Sequence, residues 1–297
     1  MKIKALLALA LCLIPLSAHA EMGERLKQWR EMREHRQDAK KRLDQVPQDV
    51  ATDSFEGREI LVHVAANARP ANREMVVVLH GGTGNANHIF SILGQDLNDA
   101  ADEGGFVVAY LNGSAASRLG GSSHAWNAGG GCCGQPFAKN VDDVAYIKAA
   151  VKYLTAKYNV DPKKVYGIGH SNGAMMTQRL MCETDLYQAA IPISGPLNID
   201  NPKCLSGQGK KIWAIHGAAD ENVPVKGGFG TKGVTNINYK SQDYTQTVFH
   251  AVTVEYKEDI LPGIDHSLQS IAIAIEKRDG RTFGRDAALF FGLAPKY

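Results

Sequence analysis

The run Val165-Tyr166-Gly167-Ile168 feeds directly into Gly169-His170-Ser171-Asn172-Gly173, and Ala174 to Cys182 then return to helical spacing. Few folds accommodate a short apolar run that turns into a helix through G-x-S-x-G. A serine at such a turn occupies a strained backbone conformation that leaves no room for flanking side chains. The pattern alone arises easily by chance; between a strand and a helix it singles out a serine lifted clear of the top of a sheet. Ser171 is therefore the candidate nucleophile.

The rest of the chain supplies the sheet. Met75 to Leu79, Phe106 to Leu111, Lys164 to Ile168, Ala189 to Ile193 and Ile212 to Ile215 are apolar, β-branched-rich runs too short for helices, as expected of strands buried on both faces. Val141 to Tyr158 and Gly173 to Thr184 carry helical periodicity between them. Phe55-Glu56-Gly57-Arg58 reads as a hairpin turn leading into an edge strand over Glu59 to Ala65, and Val252 to Asp259 reads as the last strand. The expected class is α/β, a mostly parallel central sheet with helices on both faces. Two Gly-rich stretches, Gly113 to Pro136 around Trp126 and Gly227 to Asp243, are long enough to be functional loops.

A serine hydroxyl becomes a nucleophile when a neutral imidazole takes its proton and a carboxylate fixes that imidazole's tautomer. Ile212 to Ile215 runs into His216-Gly217-Ala218-Ala219-Asp220, which places Asp220 on a loop at the carboxyl end of the sheet, where catalytic groups collect. Asp220 is the candidate acid, with Glu221 as its immediate rival. For the base, His266 follows the last strand in Pro262-Gly263-Ile264-Asp265-His266, whereas His250 precedes that strand, at the wrong end of the sheet. Acyl transfer also needs fixed donors for the oxyanion. The amide of Asn172 is one candidate. The other lies in His80-Gly81-Gly82-Thr83-Gly84, at Gly82 or the adjacent Thr83. Trp126 and His170 are candidates for substrate contact. The strand-end histidines His80, His170 and His216 are explained by packing and loop hydrogen bonding, and neither a metal nor a cofactor is expected.

The first twenty residues carry Lys2 and Lys4, an apolar run from Ala5 to Leu16, and Ala18-His19-Ala20, the pattern of a secretory leader. The run is too short to span a bilayer. Residues 21–46 are dense in charge, with Leu26, Trp29, Met32, Ala39 and Leu43 near one helical face, and 47–297 is expected to form the catalytic domain. The sequence holds 33 Lys and Arg against 31 Asp and Glu. Loss of Lys2 and Lys4 with the leader balances the two, so no global field favours nucleic acid. Cys132, Cys133, Cys182 and Cys204 remain, an even count that argues for two disulfides and a secreted or periplasmic location. A bond between neighbours would strain the local backbone, so each of Cys132 and Cys133 is expected to pair with one of Cys182 and Cys204. The oligomeric state is not legible.

These residues resemble the extracellular polyhydroxybutyrate depolymerase and feruloyl esterase group of small secreted α/β-hydrolases. The likeness spans about Phe55 to Leu293. It rests on Leu79-His80-Gly81-Gly82, on Trp126-Asn127-Ala128-Gly129 leading into Cys132-Cys133-Gly134, and on Asn140-Val141-Asp142-Asp143-Val144. It continues through Gly169 to Met176 with Arg179-Leu180-Met181-Cys182-Glu183, and His216-Gly217-x-x-Asp220 with Val223-Pro224. The resemblance implies an α/β-hydrolase domain, a triad of Ser171, Asp220 and His266, cysteine bridges near the site, and hydrolysis of a small ester or oligoester of a hydroxy acid or hydroxycinnamic acid. The rival readings are an exported lipase or peptidase of the same fold, and a catalytically inactive polymer-binding module.

Overall fold

Eight strands build the main sheet: β1 (Val50–Phe55), β2 (Arg58–Val64), β3 (Arg73–Leu79), β4 (Val107–Leu111), β5 (Val160–His170), β6 (Ala189–Ile193), β7 (Lys211–Gly217) and β8 (Glu255–Leu261). Their spatial order is β1-β2-β4-β3-β5-β6-β7-β8. β2 pairs antiparallel with both β1 and β4, and every pairing from β4 to β8 is parallel. The arrangement is that of a computed structural model describing residues 50–117, 121–233 and 236–294. The described residues belong to one compact unit, Pro47–Tyr297. The leader expected at 1–20 and the charged helix at 21–46 lie outside the described residues.

The inner parallel strands β3, β4, β6 and β7 are largely buried on both faces because helices cover both. Among the described residues six helices are long enough to matter here: α1 (Ala86–Gly104), α2 (Asp143–Lys157), α3 (Asn172–Glu183), α4 (Gln242–His250), α5 (Leu268–Asp279) and α6 (Phe283–Phe291). On one face Tyr110 of β4 reaches α1, with its hydroxyl 3.0 Å from Asn98 Oδ1 and its ring edge-on to Phe90, while Tyr166 and Trp213 lie against Phe291 and Phe290 of α6. On the other, Met75, Val77, Val107, Ala109 and Val165 join Ile147 and Leu154 of α2, Met176 and Leu180 of α3 and Phe249 of α4 in a single core cluster. Alternate strand residues thus serve opposite faces, as the pleat requires.

Local chemistry sets the helix ends. Asn85 caps α1 by accepting from His88 N–H, Asp142 caps α2 by accepting from Ala145 N–H, and Ser241 caps α4 through Tyr244 N–H.

Two expectations need correction. The strand beginning near Glu59 is not the sheet edge, because Val50–Phe55 folds back across the turn at Glu56-Gly57 and pairs outside it. The last strand begins at Glu255, not Val252. The amides of Val252 and Thr253 bond the carbonyls of Phe249 and His250, closing a turn after α4 before the chain can extend.

Candidate active site

Strand β5 ends at His170, and Ser171 sits at φ 56°, ψ −120° ahead of the first residue of α3. A positive φ at a non-glycine residue carries a cost of about 1–3 kcal/mol and persists where the surroundings enforce it. Here they do: Ser171 N–H donates to Ile193 O at 2.8 Å, and its carbonyl accepts from Met175 N–H at 3.0 Å. The flanking glycines are obligatory on steric grounds. A Cβ at Gly169 would lie 2.3 Å from the Gly173 carbonyl oxygen, and one at Gly173 would lie 2.2 Å from that of Leu79.

From this turn the serine meets two loops at the carboxyl end of the sheet. His266 Nε2 lies 2.9 Å from Ser171 Oγ, and His266 Nδ1 lies 2.7 Å from Asp220 Oδ2. A carboxylate accepts, so Nδ1 carries the proton and Nε2 is left to face the hydroxyl. Asp220 follows β7 and His266 follows β8. The two loops are laced together by Ala218 N–H to Leu261 O at 2.8 Å and Ala219 N–H to Ile264 O at 2.9 Å. The other Asp220 oxygen accepts from the amides of Asn222 and Val223, both at 2.9 Å. The Asp220 side chain is fully enclosed, while that of His266 keeps 17 % exposure. Burial pushes the Asp220 carboxyl up, but hydrogen bonds from His216 and His266, with that of Val223 N–H, outweigh it and hold the group well below the usual carboxylate range. Glu221 is exposed and pairs with Lys232 instead, and His250 is exposed at the end of α4.

The His80–Gly84 loop closes the site from the β3 side. At Gly81 a Cβ would lie 3.2 Å from Ser171 Cβ, and at Gly82 it would lie 3.6 Å from Asn172 Cβ, so this backbone runs directly beside the elbow. Thr83 follows at φ 64°. Asn172 opens α3, and an amide in the first turn has no partner within its helix. His80 is spent inside the loop. Its Nδ1–H donates to Gly81 O at 2.8 Å and its Nε2 accepts from Gly113 N–H at 3.0 Å. Burial pushes its imidazole down to about 3, keeping it neutral.

The expectation that Trp126 contacts substrate is corrected. Its side chain is fully buried, its indole N–H donates to His80 O at 3.0 Å, and its ring centroid lies 5.1 Å from that of His80. Its backbone exchanges two hydrogen bonds with the Asn172 side chain, N–H to Oδ1 at 2.8 Å and Nδ2–H to O at 3.0 Å. Trp126 thus braces the loop and the elbow from behind. His170 likewise turns its ring to the neighbouring loop, with Nε2–H donating to His266 O at 2.9 Å. Burial, helped by the neighbouring His266, lowers His170 to about 3.

The expected cysteine pairing is corrected too. Cys182, on the last turn of α3, bonds Cys204, and Cys132 bonds its neighbour Cys133 across a cis peptide. The turn at Leu205–Gly207 packs on α3, so Cys182 and Cys204 meet each other and neither sulfur is left for the Trp126 loop. The neighbouring pair lies under the elbow, where Asn172 Nδ2 is 3.4 Å from Cys132 Sγ.

Supporting residues escaped the sequence reading. Asp143 accepts from Asn127 N–H at 2.7 Å and from Arg58 at 2.8 Å, which ties the Trp126-Asn127 segment to the start of α2. His216 and Gln242 stand behind Asp220; the signal for the first was its place in His216-Gly217-x-x-Asp220. Beside the bridge between Gly84 and His124 opens a polar cavity of about 510 Å³, lined by Arg58, Asn85, Asn87, Ser114 and Ser122 among others. Among the described residues, no group of three or more His, Cys, Asp or Glu is placed to hold a metal ion, and no helix is long and apolar enough to cross a membrane.

Residues 100–203, which include Ser171, match the prolyl oligopeptidase family. Feruloyl esterase B of Piromyces equi is 32 % identical over 139 residues, covering 46 % of this chain and 24 % of the relative. An acetylxylan esterase of Coprinopsis cinerea is 36 % identical over 123 residues, 41 % of this chain and 30 % of the relative. The chain spans less than half the length of the curated relatives it matches. Among solved structures, the acetyl xylan esterase from Aspergillus awamori superimposes with a TM-score of 0.53 at 16 % identity, over 82 % of this chain and 99 % of that one. With a sheet ordered β1-β2-β4-β3-β5-β6-β7-β8, a serine at the β5–α3 elbow and these likenesses, the chain has the α/β-hydrolase fold and is related in sequence to esterases.

Proposed function

We propose that the protein is an exported serine carboxylic-ester hydrolase in which Ser171, His266 and Asp220 form the triad. The observation that carries the reading is the continuous line from Asp220 Oδ2 through the His266 ring to Ser171 Oγ, in steps of 2.7 and 2.9 Å. In that arrangement His266 Nε2 takes the hydroxyl proton as Oγ attacks the ester carbonyl, and Asp220 stabilises the imidazolium that forms. The oxyanion is received by the Asn172 amide and by an amide of the Gly82-Thr83 segment, donors whose backbone is already fixed. His266 then protonates the departing alcohol, and water releases the acid by the reverse sequence.

The substrate class we favour is a short-chain or hydroxycinnamoyl ester, or an oligoester of a hydroxy acid, whose alcohol portion carries hydroxyl groups. Its support is the polar lining of the cavity by Arg58, Asn85, Asn87 and Ser114 next to the oxyanion loop, together with relatives named as feruloyl and acetylxylan esterases. Export is supported by two paired disulfides, which persist in oxidising compartments. A second reading, peptide hydrolysis, is favoured by the family match over 100–203. A panel of p-nitrophenyl acetate, methyl ferulate, 3-hydroxybutyrate oligomers, acetylated xylan and a peptidyl p-nitroanilide separates them. We expect ester turnover that Ser171→Ala reduces to near background. Substantial activity in that variant would reject the triad, and faster anilide than ester cleavage would favour the peptidase.

A further inference from the structure

Asp220 is held by more than its loop. His216, the next-to-last residue of β7, is buried with its Nε2 3.0 Å from Asp220 Oδ2 and 2.8 Å from Val223 O. Both are acceptors, so that nitrogen bears the hydrogen. On the far side of the ring, Nδ1 lies 2.8 Å from Nε2 of Gln242, the first residue of α4. An amide nitrogen only donates, so Nδ1 is the acceptor. The orientation of the amide is set in turn by the Tyr256 hydroxyl of β8, which donates to Gln242 Oε1 at 3.2 Å. Each link leaves one consistent assignment of hydrogens, running from Tyr256 through Gln242 and His216 to the oxygen of Asp220 that also receives His266 Nδ1–H at 2.7 Å.

We propose that His216, fixed in its Nε2–H tautomer by Gln242 and Tyr256, is a positioning residue that donates a second hydrogen bond to Asp220 Oδ2 and thereby sets how strongly that carboxylate supports His266. The inference rests on the triad reading. Its physical content is a division of charge. With His216 donating, part of the negative charge on Oδ2 is already engaged, and the carboxylate is pinned in one plane by His216 on one oxygen and by the Asn222 and Val223 amides on the other. Without that donor, more of the charge falls on His266, the imidazolium is favoured, and the neutral base is lost at higher pH. The other ionisable groups around this chain are the Glu258 carboxyl on β8, which is pushed up by burial and by Asp243 of α4 and faces His216, and His170, whose ring centroid lies 5.0 Å from that of His266.

The test compares His216→Phe, which removes the donor, with His216→Gln, whose amide nitrogen replaces Nε2–H, using p-nitrophenyl acetate across pH. In His216→Phe we expect kcat to fall about tenfold with KM little changed and the acid limb of kcat/KM to move up by roughly half a pH unit, since a lost hydrogen bond to a charged group shifts that group's own proton equilibrium by about one unit or more and only part of this passes from Asp220 to His266. His216→Gln should bring the limb back toward the wild-type position. A folded His216→Phe protein with an unmoved acid limb would overturn the proposal, whatever its kcat, because a merely structural role predicts lost stability without a shifted profile. Should His216→Phe fail to fold, the decision passes to ¹⁵N NMR of the histidine-labelled wild-type protein. A protonated Nε2 and bare Nδ1 on His216 are expected, and a protonated Nδ1 overturns the scheme. The NMR readout is independent of turnover, so an inactive wild-type protein that keeps this tautomer would reject the esterase reading and not the hydrogen-bond chain.

Discussion

The ring of His170 donates through Nε2–H to the main-chain carbonyl of His266 at 2.9 Å, so the residue preceding the proposed nucleophile holds the loop that carries the His266 imidazole. The proposed nucleophile and base are 95 positions apart in sequence and 2.9 Å apart in space. Replacing His170 with Phe keeps a ring but removes the tether. We expect kcat to fall about tenfold, the scale on which small misplacement of a reacting group is felt, with a modest drop in melting temperature. Steady-state kinetics on a short-chain ester check this; unchanged kcat would show that the loop is held without His170.

His80 and His170 give the fold a defined acid sensitivity. Burial is the first cause in both, and each is pushed from the usual 6.5 down to about 3. The unfolded chain gains a proton on each as pH falls through about 6.5, whereas the folded chain does not until about 3, so the contribution of these two groups to stability is full above about 6.5 and is lost between those values. The slope approaches about 1.4 kcal/mol per pH unit for each histidine. Asp220, held low, adds to the loss only below the ordinary carboxylate range. Urea titrations at pH 7, 6, 5 and 4 should show midpoints falling in that order, and a constant midpoint would contradict the buried, neutral state of both rings.

The choice between the adjacent acids is open to kinetics. Asp220→Asn should lower kcat by about 10³–10⁴, as expected when the imidazole loses the partner that fixes its tautomer. Glu221→Gln should stay within about twofold of wild type, because Glu221 faces solvent and its partner is Lys232. A reversal of the two effects would move the acid to Glu221.

Removing the Cys182–Cys204 bridge by a double alanine substitution should cost about 3 kcal/mol of stability, the scale expected for closing a loop of this length. The bridge spans 22 positions and ties the end of α3 to the Leu205 turn, away from the hydroxyl of Ser171. Chemical denaturation should report the loss, while kcat of the folded fraction stays near wild type. A collapse of kcat in protein that is still folded would instead place the bridge in the machinery of the elbow.

Ser171, Asp220 and His266 stood out in the sequence for one reason: each follows a strand, and a parallel sheet delivers every strand end to the same rim. Gly169 and Gly173 were legible because a side chain at either would overlap backbone. The less legible features depend on what lies across the interior from a residue, which spacing does not encode. Trp126 sits on a Gly-rich loop and reads as a cleft residue, yet its indole is drawn inward by the His80 carbonyl and its backbone by Asn172. The cysteine pairing turned on the packing of a short turn against α3. The start of β8 was misjudged because Glu255-Tyr256-Lys257-Glu258-Asp259 is mostly polar, as befits a strand with one free side, whereas Val252 belongs to the turn before it.

That free side has an operational consequence. β8 is the outermost strand at the end of the sheet opposite β1, and the loop bearing His266 continues directly from it, whereas Ser171 is anchored on β5, three strands further in. Peeling of that margin would displace the proposed base while most of the interior stayed intact. On gradual warming, turnover should vanish before the far-ultraviolet circular dichroism changes, which makes the rate a local thermometer for the last strand.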